Sequence, residues 1–160
     1  MKLYFLRHGA AGDRETWSGP DSERPLTEEG ERELRSLSKK FAKLGFAVEE
    51  LRTSPYSRAL GTAKIIAKGL GLTSSLTIDE RLAPGFDSTA LGAMIVERPR
   101  CASLMLVGYE PDFSKVIGQL TGCRNLEMKK AGLARVDYDL ETKTGSLVWL
   151  LPPKVLLGRG

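Results

Sequence analysis

Histidine is nearly absent: the 160-residue chain contains one, His8. A single imidazole rules out a metal site built on two or three histidines and any His–His catalytic pair. Cysteine is almost as scarce. Cys101 and Cys123 stand twenty-two positions apart, with no C-x-x-C spacing and no histidine beside either. That excludes a zinc ribbon and a disulfide scaffold and predicts two reduced, packed thiols. No apolar run approaches the roughly 20 residues of a membrane span. The opening run Met1–Arg7 is too short for a signal peptide, so the expected compartment is the cytoplasm. A charge excess of one sign is missing too: 24 Lys and Arg against 20 Asp and Glu leave +4. Lys39-Lys40 and Lys129-Lys130 are isolated pairs rather than a stripe. They read as solvated surface, and neither nucleic acid nor membrane is an expected partner.

What is present is an ordinary globular composition, 41% hydrophobic and 28% charged. A chain of this length can bury a core without a disulfide or metal staple, and at roughly 150 residues per domain it is expected to form one domain over 1–160. Leu3–Leu6 is a short continuous apolar run, as in a strand buried on both faces. Residues 9–25 are rich in Gly, Pro, Ser, Asp and Arg and read as a loop too polar to pack. Thr27 with Glu28 and Glu29 opens a helix as N-cap and acidic first turn. Leu34, Leu37, Phe41 and Leu44 would line its inner face, and Gly45 would end it. Val48–Thr53 predicts a strand, and Ser57–Gly69 a helix with Ala59, Ala63, Ile66 and Ala67 inward. Leu76–Ile78 predicts a short strand, residues 79–88 a loop around Pro84-Gly85, and Thr89–Glu97 a helix. Ser103–Gly108 is the strongest buried-strand signal. Asp112–Leu120 reads as a helix, and Gly132–Leu140 with Ser146–Leu151 as a hairpin turning at Thr142–Gly145. The tail from Pro152 is expected to be peripheral. Strands alternating with helices and ending in a hairpin imply a three-layer α/β/α sandwich: a mostly parallel sheet with an antiparallel edge.

In such sheets ligands bind beyond the carboxyl ends of the strands. The first strand is followed by Arg7-His8-Gly9, the second by Ser54-Pro55-Tyr56-Ser57-Arg58-Ala59, and the central one by Tyr109-Glu110-Pro111. Two arginines and the only histidine therefore meet at one sheet edge. Two guanidiniums offer forked donors to an oxyanion, phosphate above all, and a neutral imidazole between them can attack phosphorus. Arg7-His8-Gly9 alone would more often be a structural loop; the joint placement of three segments gives it chemical meaning.

These segments resemble the histidine phosphatase superfamily. Leu6-Arg7-His8-Gly9 is similar to its L-R-H-G signature, Arg24-Pro25-Leu26-Thr27-Glu28-Glu29-Gly30 to its R-P-L-T-x-x-G, and Ser54-Pro55 through Arg58-Ala59 to Thr62-Ala63 to its S-P-x-x-R-A-x-x-T-A. Val107-Gly108-Tyr109-Glu110-Pro111 stands where the superfamily has V-G-H-x-P. The short stretch between Leu72 and Ser103 looks like the small SixA-type phosphohistidine phosphatases rather than the larger phosphoglycerate mutases. The resemblance implies a phosphoglycerate mutase-like fold and a phosphatase. His8 would carry a transient phosphoryl group, Arg7 and Arg58 would hold its oxygens, and Tyr109 would complete the site. No metal or organic cofactor is implied. The substrate would be a phosphohistidine in a partner protein or a small phosphoester.

Two departures bear on activity. Tyr109 replaces the second catalytic histidine; a phenol donates one hydrogen bond but carries no positive charge near neutrality. The chain is then either an impaired enzyme or a phosphate-binding module without turnover. The mutase-like branches also place a glutamate acid before a Gly, where this chain has Arg81-Leu82-Ala83-Pro84-Gly85. Glu80 and Asp87 nearby read as surface or loop-capping acids rather than proton donors. A phosphohistidine leaves readily once its imidazole is protonated, so the missing acid suits that substrate better than an alkyl phosphate.

Overall fold

The opening apolar run becomes strand β1 (Lys2–Arg7), and its alternation sets up the layers. Leu3 and Phe5 face one side of the sheet, Tyr4 and Leu6 the other, each set buried in its own hydrophobic cluster. The computed structural model describes residues 1–158. In chain order the elements that follow are α1 (Glu28–Lys43), β2 (Glu50–Thr53), α2 (Ser57–Leu70), β3 (Leu76–Ile78), α3 (Ser88–Val96), β4 (Ser103–Gly108), α4 (Asp112–Thr121), β5 (Leu133–Tyr138), β6 (Gly145–Leu151) and α5 (Pro153–Leu156). The sheet order is β3-β2-β4-β1-β5-β6. The first four run parallel, while β5 is antiparallel to both β1 and β6. Helices α1, α2 and α5 cover the Tyr4 side, and α3 and α4 the Phe5 side. This is the α/β/α sandwich that the alternating pattern implies.

Local chemistry accounts for most boundaries. Thr27 caps α1 by accepting from the Gly30 amide at 3.0 Å. Gly45 follows the helix at φ +66°, a left-handed conformation that glycine adopts without a Cβ clash. Leu34, Leu37 and Phe41 are fully buried, each contributing about 1.5–3 kcal/mol of apolar burial. All six residues of β4 are buried, as befits a strand with a parallel neighbour on each side and helices on both faces.

Several sequence expectations are corrected. Leu44 is 54% exposed, because α1 has ended before it can turn inward. Val48 is buried but precedes β2, which starts at Glu50. The first hairpin strand ends at Tyr138, two residues short of Leu140, and its mate begins at Gly145. The tail is not peripheral: α5 carries Leu156 into the cluster beneath α1. The polar segment after β1 does pack, with Ala11 buried and bridged to Leu26. Both cysteines are unpaired, but only Cys101 is buried; Cys123 is half-buried. Among the described residues no helix is long and apolar enough to cross a membrane.

Candidate active site

β1, β4 and β2 are parallel neighbours, so their carboxyl ends lie side by side. Backbone bonds then prolong the ladder into the loops. His8 N donates to Gly108 O at 3.1 Å, Ser54 N to Val107 O at 3.2 Å, and Arg7 N to Gly132 O at 3.0 Å. The result is a cleft of about 560 Å³. Arg7 and His8 enter it from β1, Tyr56 and Arg58 from the start of α2, and Tyr109 and Glu110 from the end of β4. Arg14, Asp21 and Arg24 of the loop after β1, Pro84, and Lys130 before β5 complete the lining. All four residues singled out from the sequence, Arg7, His8, Arg58 and Tyr109, are on this one surface.

His8 is 7% exposed, and its Nδ1 lies 2.7 Å from its neighbour Gly9 O. A carbonyl oxygen only accepts, so Nδ1 carries the proton and Nε2 keeps a free lone pair. Burial, with the nearby charges of Arg58, Arg7 and Lys130, pushes the His8 pKa down to about 4 against the opposing Gly9 hydrogen bond. The imidazole is therefore neutral at physiological pH, the form a nucleophile needs.

The arginines are held from behind. Arg7 Nη1 donates to Met128 O at 2.6 Å. Arg58, 4% exposed, gives Nη1 to Asp21 O at 2.7 Å and Nη2 to Asp21 Oδ2 at 2.9 Å. The buried Nε–H of each has no partner among the described residues, an arrangement that an oxyanion would satisfy. Arg58 also packs over two aromatic rings, 4.8 Å from the Tyr109 centroid and 5.4 Å from that of Tyr56. Asp21 reaches Arg24 as well, accepting from Nε at 3.0 Å, while Arg24 Nη1 donates to Gly12 O at 2.6 Å. Burial works to raise the Asp21 pKa, but its bonds to Arg24 and Arg58 outweigh that and hold the carboxyl below its ordinary range.

Tyr109 forms a wall of the cleft. Its ring centroid is 5.4 Å from that of His8, and its hydroxyl is 2.8 Å from Ser54 Oγ, which also accepts from Tyr56 N. The hydroxyl offered to a phosphoryl oxygen on sequence grounds is thus engaged by Ser54 in this structure. Burial pushes its pKa up to about 12, so the phenol stays neutral.

The remaining motif residues hold this arrangement. Thr62 Oγ1 accepts from Gly9 N at 3.0 Å and donates to Arg58 O at 2.7 Å, which joins α2 to the histidine loop. Gly30 lets α1 approach that loop: a Cβ there would sit 2.3 Å from Ala10 O.

The sequence profile of the histidine phosphatase superfamily (branch 1) matches residues 3–84. An uncharacterized protein of Picosynechococcus sp. is 36% identical over 173 residues, covering 95% of this chain and all of that one. The chain belongs to the histidine phosphatase superfamily. Within it, the phosphohistidine phosphatase SixA of Escherichia coli is 26% identical over 156 residues, 96% of this chain and 94% of that protein. The solved structure of the protein histidine phosphatase SixA complexed with tungstate superposes with a TM-score of 0.86 at 26% identity, covering 98% of this chain and 99% of that one. A putative SixA from Agrobacterium tumefaciens, 20% identical, shares the fold at a TM-score of 0.80, covering 95% and 97%.

As a histidine phosphatase superfamily member, the chain carries cleft residues that its motifs leave unassigned. Arg24 stands inside the R-P-L-T block, which offered a signal for it. Glu110 lies within the third block. Asp21 and Arg14 have no sequence signal, because nothing local marks a loop residue that folds back. Lys130 reads as solvated surface; it is exposed, yet it lines the cleft. Glu80 and Asp87 stay out of the cleft. Asp87 caps α3, accepting from Ala90 N at 2.8 Å, which is the capping role expected of it.

The buried imidazole has a consequence for stability. An unfolded histidine takes up a proton near pH 6.5 but His8 only near 4. Between those values the unfolded chain binds more protons, so stability falls as pH drops through that window, by up to about 3 kcal/mol. Urea unfolding at several pH values is expected to show this loss in the parent. In His8→Gln the loss should be smaller; an equal loss in both would contradict it.

Proposed function

We propose that this chain is a phosphatase working through a phosphohistidine on His8, and that its substrate is a phosphohistidine in a partner protein. The observation that carries the reading is the His8 geometry: Nδ1 held by Gly9 O at 2.7 Å and a neutral ring beside Arg7 and Arg58. Nε2 would attack phosphorus as the P–N bond of a substrate phosphohistidine protonated on its other ring nitrogen breaks, so that the leaving group departs as a neutral imidazole. Arg7 and Arg58 would hold the phosphoryl oxygens and offset charge in the transition state. Water would then cleave the P–N bond, releasing inorganic phosphate and neutral His8. A related phosphohistidine phosphatase of the same fold has been solved with tungstate, an oxyanion, which supports an anion-binding cleft here. The site of action would be cytoplasmic.

A second reading has its own support. Tyr109 is a neutral phenol with its hydroxyl against Ser54, so the site has no cationic donor at that position and would bind a phosphorylated partner without turnover. One experiment separates the two. The enzyme reading expects release of phosphate from a phosphohistidine peptide, with an acid-labile, base-stable phosphoryl label trapped on the protein. Saturable binding of the peptide without release would favour the binding module, and an acid-stable label would overturn the mechanism.

A further inference from the structure

Five cations line the cleft, Arg7, Arg14, Arg24, Arg58 and Lys130, against two carboxylates, Asp21 and Glu110. Three of the five are committed. Arg7 is anchored on Met128 O, while Arg58 and Arg24 share the Asp21 carboxylate. Arg14 and Lys130 have no ion-pair partner within 4.0 Å among the described residues, and both are exposed. They come from separate loops, one after β1 and one before β5, so no single local turn explains their presence on the same cleft. The net count is three positive charges. A transferring phosphoryl group carries about −1.5 to −2, which leaves roughly one positive charge unmatched at the mouth.

We infer that Arg14 and Lys130 form a second anion subsite at the mouth of the cleft, selecting substrates that carry one further negative group close to the transferred phosphoryl. This rests on the phosphatase reading above. The group is a carboxylate or a phosphate, borne either by a residue flanking the phosphorylated side chain of a protein or by a small molecule with two phosphoryl groups. Lys130 is near enough for its charge to help depress the His8 pKa, so its field reaches the reacting centre. Uncharged or cationic flanking groups would be disfavoured by the same charges.

The test uses the full chain and two matched pairs of probes at neutral pH and low salt. The first pair is a phosphohistidine peptide with Asp beside the phosphorylated residue and its Asn counterpart, compared by kcat/KM. The second is pyrophosphate and inorganic phosphate, compared by calorimetric binding. The parent is expected to prefer the doubly anionic member of at least one pair by about tenfold, the size set by two exposed charge contacts. The pair that shows the preference identifies a protein or a small-molecule source. In the double variant Arg14→Ser, Lys130→Ser the preference, read as the ratio within each pair, should fall to about one. Neither side chain is buried, so folding is not at stake. Absence of preference in the parent, or its persistence in the double variant, overturns the subsite while leaving the phosphatase reading intact. A parent that neither binds phosphate nor hydrolyses either peptide overturns both.

Discussion

Replacing His8 with alanine is expected to eliminate the phosphoenzyme and to lower turnover on the order of 10³-fold or more, because the attacking atom itself is removed. The residual rate would come from Arg7 and Arg58, which still bind and polarise the phosphoryl group. His8 is buried, and its Nδ1–H is the side-chain donor to Gly9 O. Alanine therefore leaves that carbonyl without this donor at a cost of about 1–3 kcal/mol. His8→Asn serves as the companion variant, since its amide can donate but cannot form a P–N intermediate under these conditions. Both variants should keep no more than that residual rate and trap no label, and circular dichroism should show His8→Asn folded. Turnover equal to the parent in a folded variant would remove His8 from the nucleophile role. Arg58→Ala differs in kind: it should chiefly weaken phosphate binding and slow transfer, with label still trapped at high substrate.

Tyr109→His is the substitution expected to increase activity, by about 10²–10³-fold, the size associated with one preorganised donor to a developing oxyanion. The reason lies in three features of the cleft. The Tyr109 hydroxyl is tied to Ser54 Oγ at 2.8 Å, its pKa is pushed up to about 12, and its ring covers the Arg58 guanidinium at 4.8 Å. The phenol thus supplies no charge and narrows access to Arg58. A histidine is shorter, and it can be cationic when the phosphoryl oxygens are most negative. Turnover of a phosphohistidine peptide and of a generic aryl phosphate measures the change. A gain of less than about threefold in both, a barrier change under 1 kcal/mol, would mean that the cleft is built around tyrosine, and would favour the binding-module reading.

Much of the architecture was legible in the residues because it depends on short-range periodicity. Ser103–Gly108, with its apolar run Leu104–Val107, gives the strongest buried-strand signal, and it is the fully buried β4. The spacing of Ala59, Ala63, Ile66 and Ala67 marks the inner face of α2, and all four are fully buried. Where the reading failed, a longer-range contact decided. Leu156 looks like part of a loose tail, yet α5 docks beneath α1. Arg52 lies within β2, and nothing in the residues around it marks how its charge is held. It is 3% exposed, and Asp79 at 3.1 Å and the exposed Glu97 at 3.2 Å, from two other segments, pair with it. A buried charge is tolerable only with such partners, and those partners are invisible one residue at a time.

The same division runs through the cleft. Residue order alone puts Arg7-His8, Arg58 and Tyr109 after parallel strands, and a sheet brings such loop positions to one edge whatever their side chains do. The tertiary structure decided the chemistry of those side chains. Asp21 is 37 positions from the arginine it orients, and Ser54 is 55 from the tyrosine whose hydroxyl it holds. Arg14 and Lys130 reach one cleft only once the sheet has assembled. Periodic burial is written locally because each residue's face follows from its neighbours. Hydrogen-bond partners, field and desolvation depend on which distant loops meet, and only the packed fold determines that.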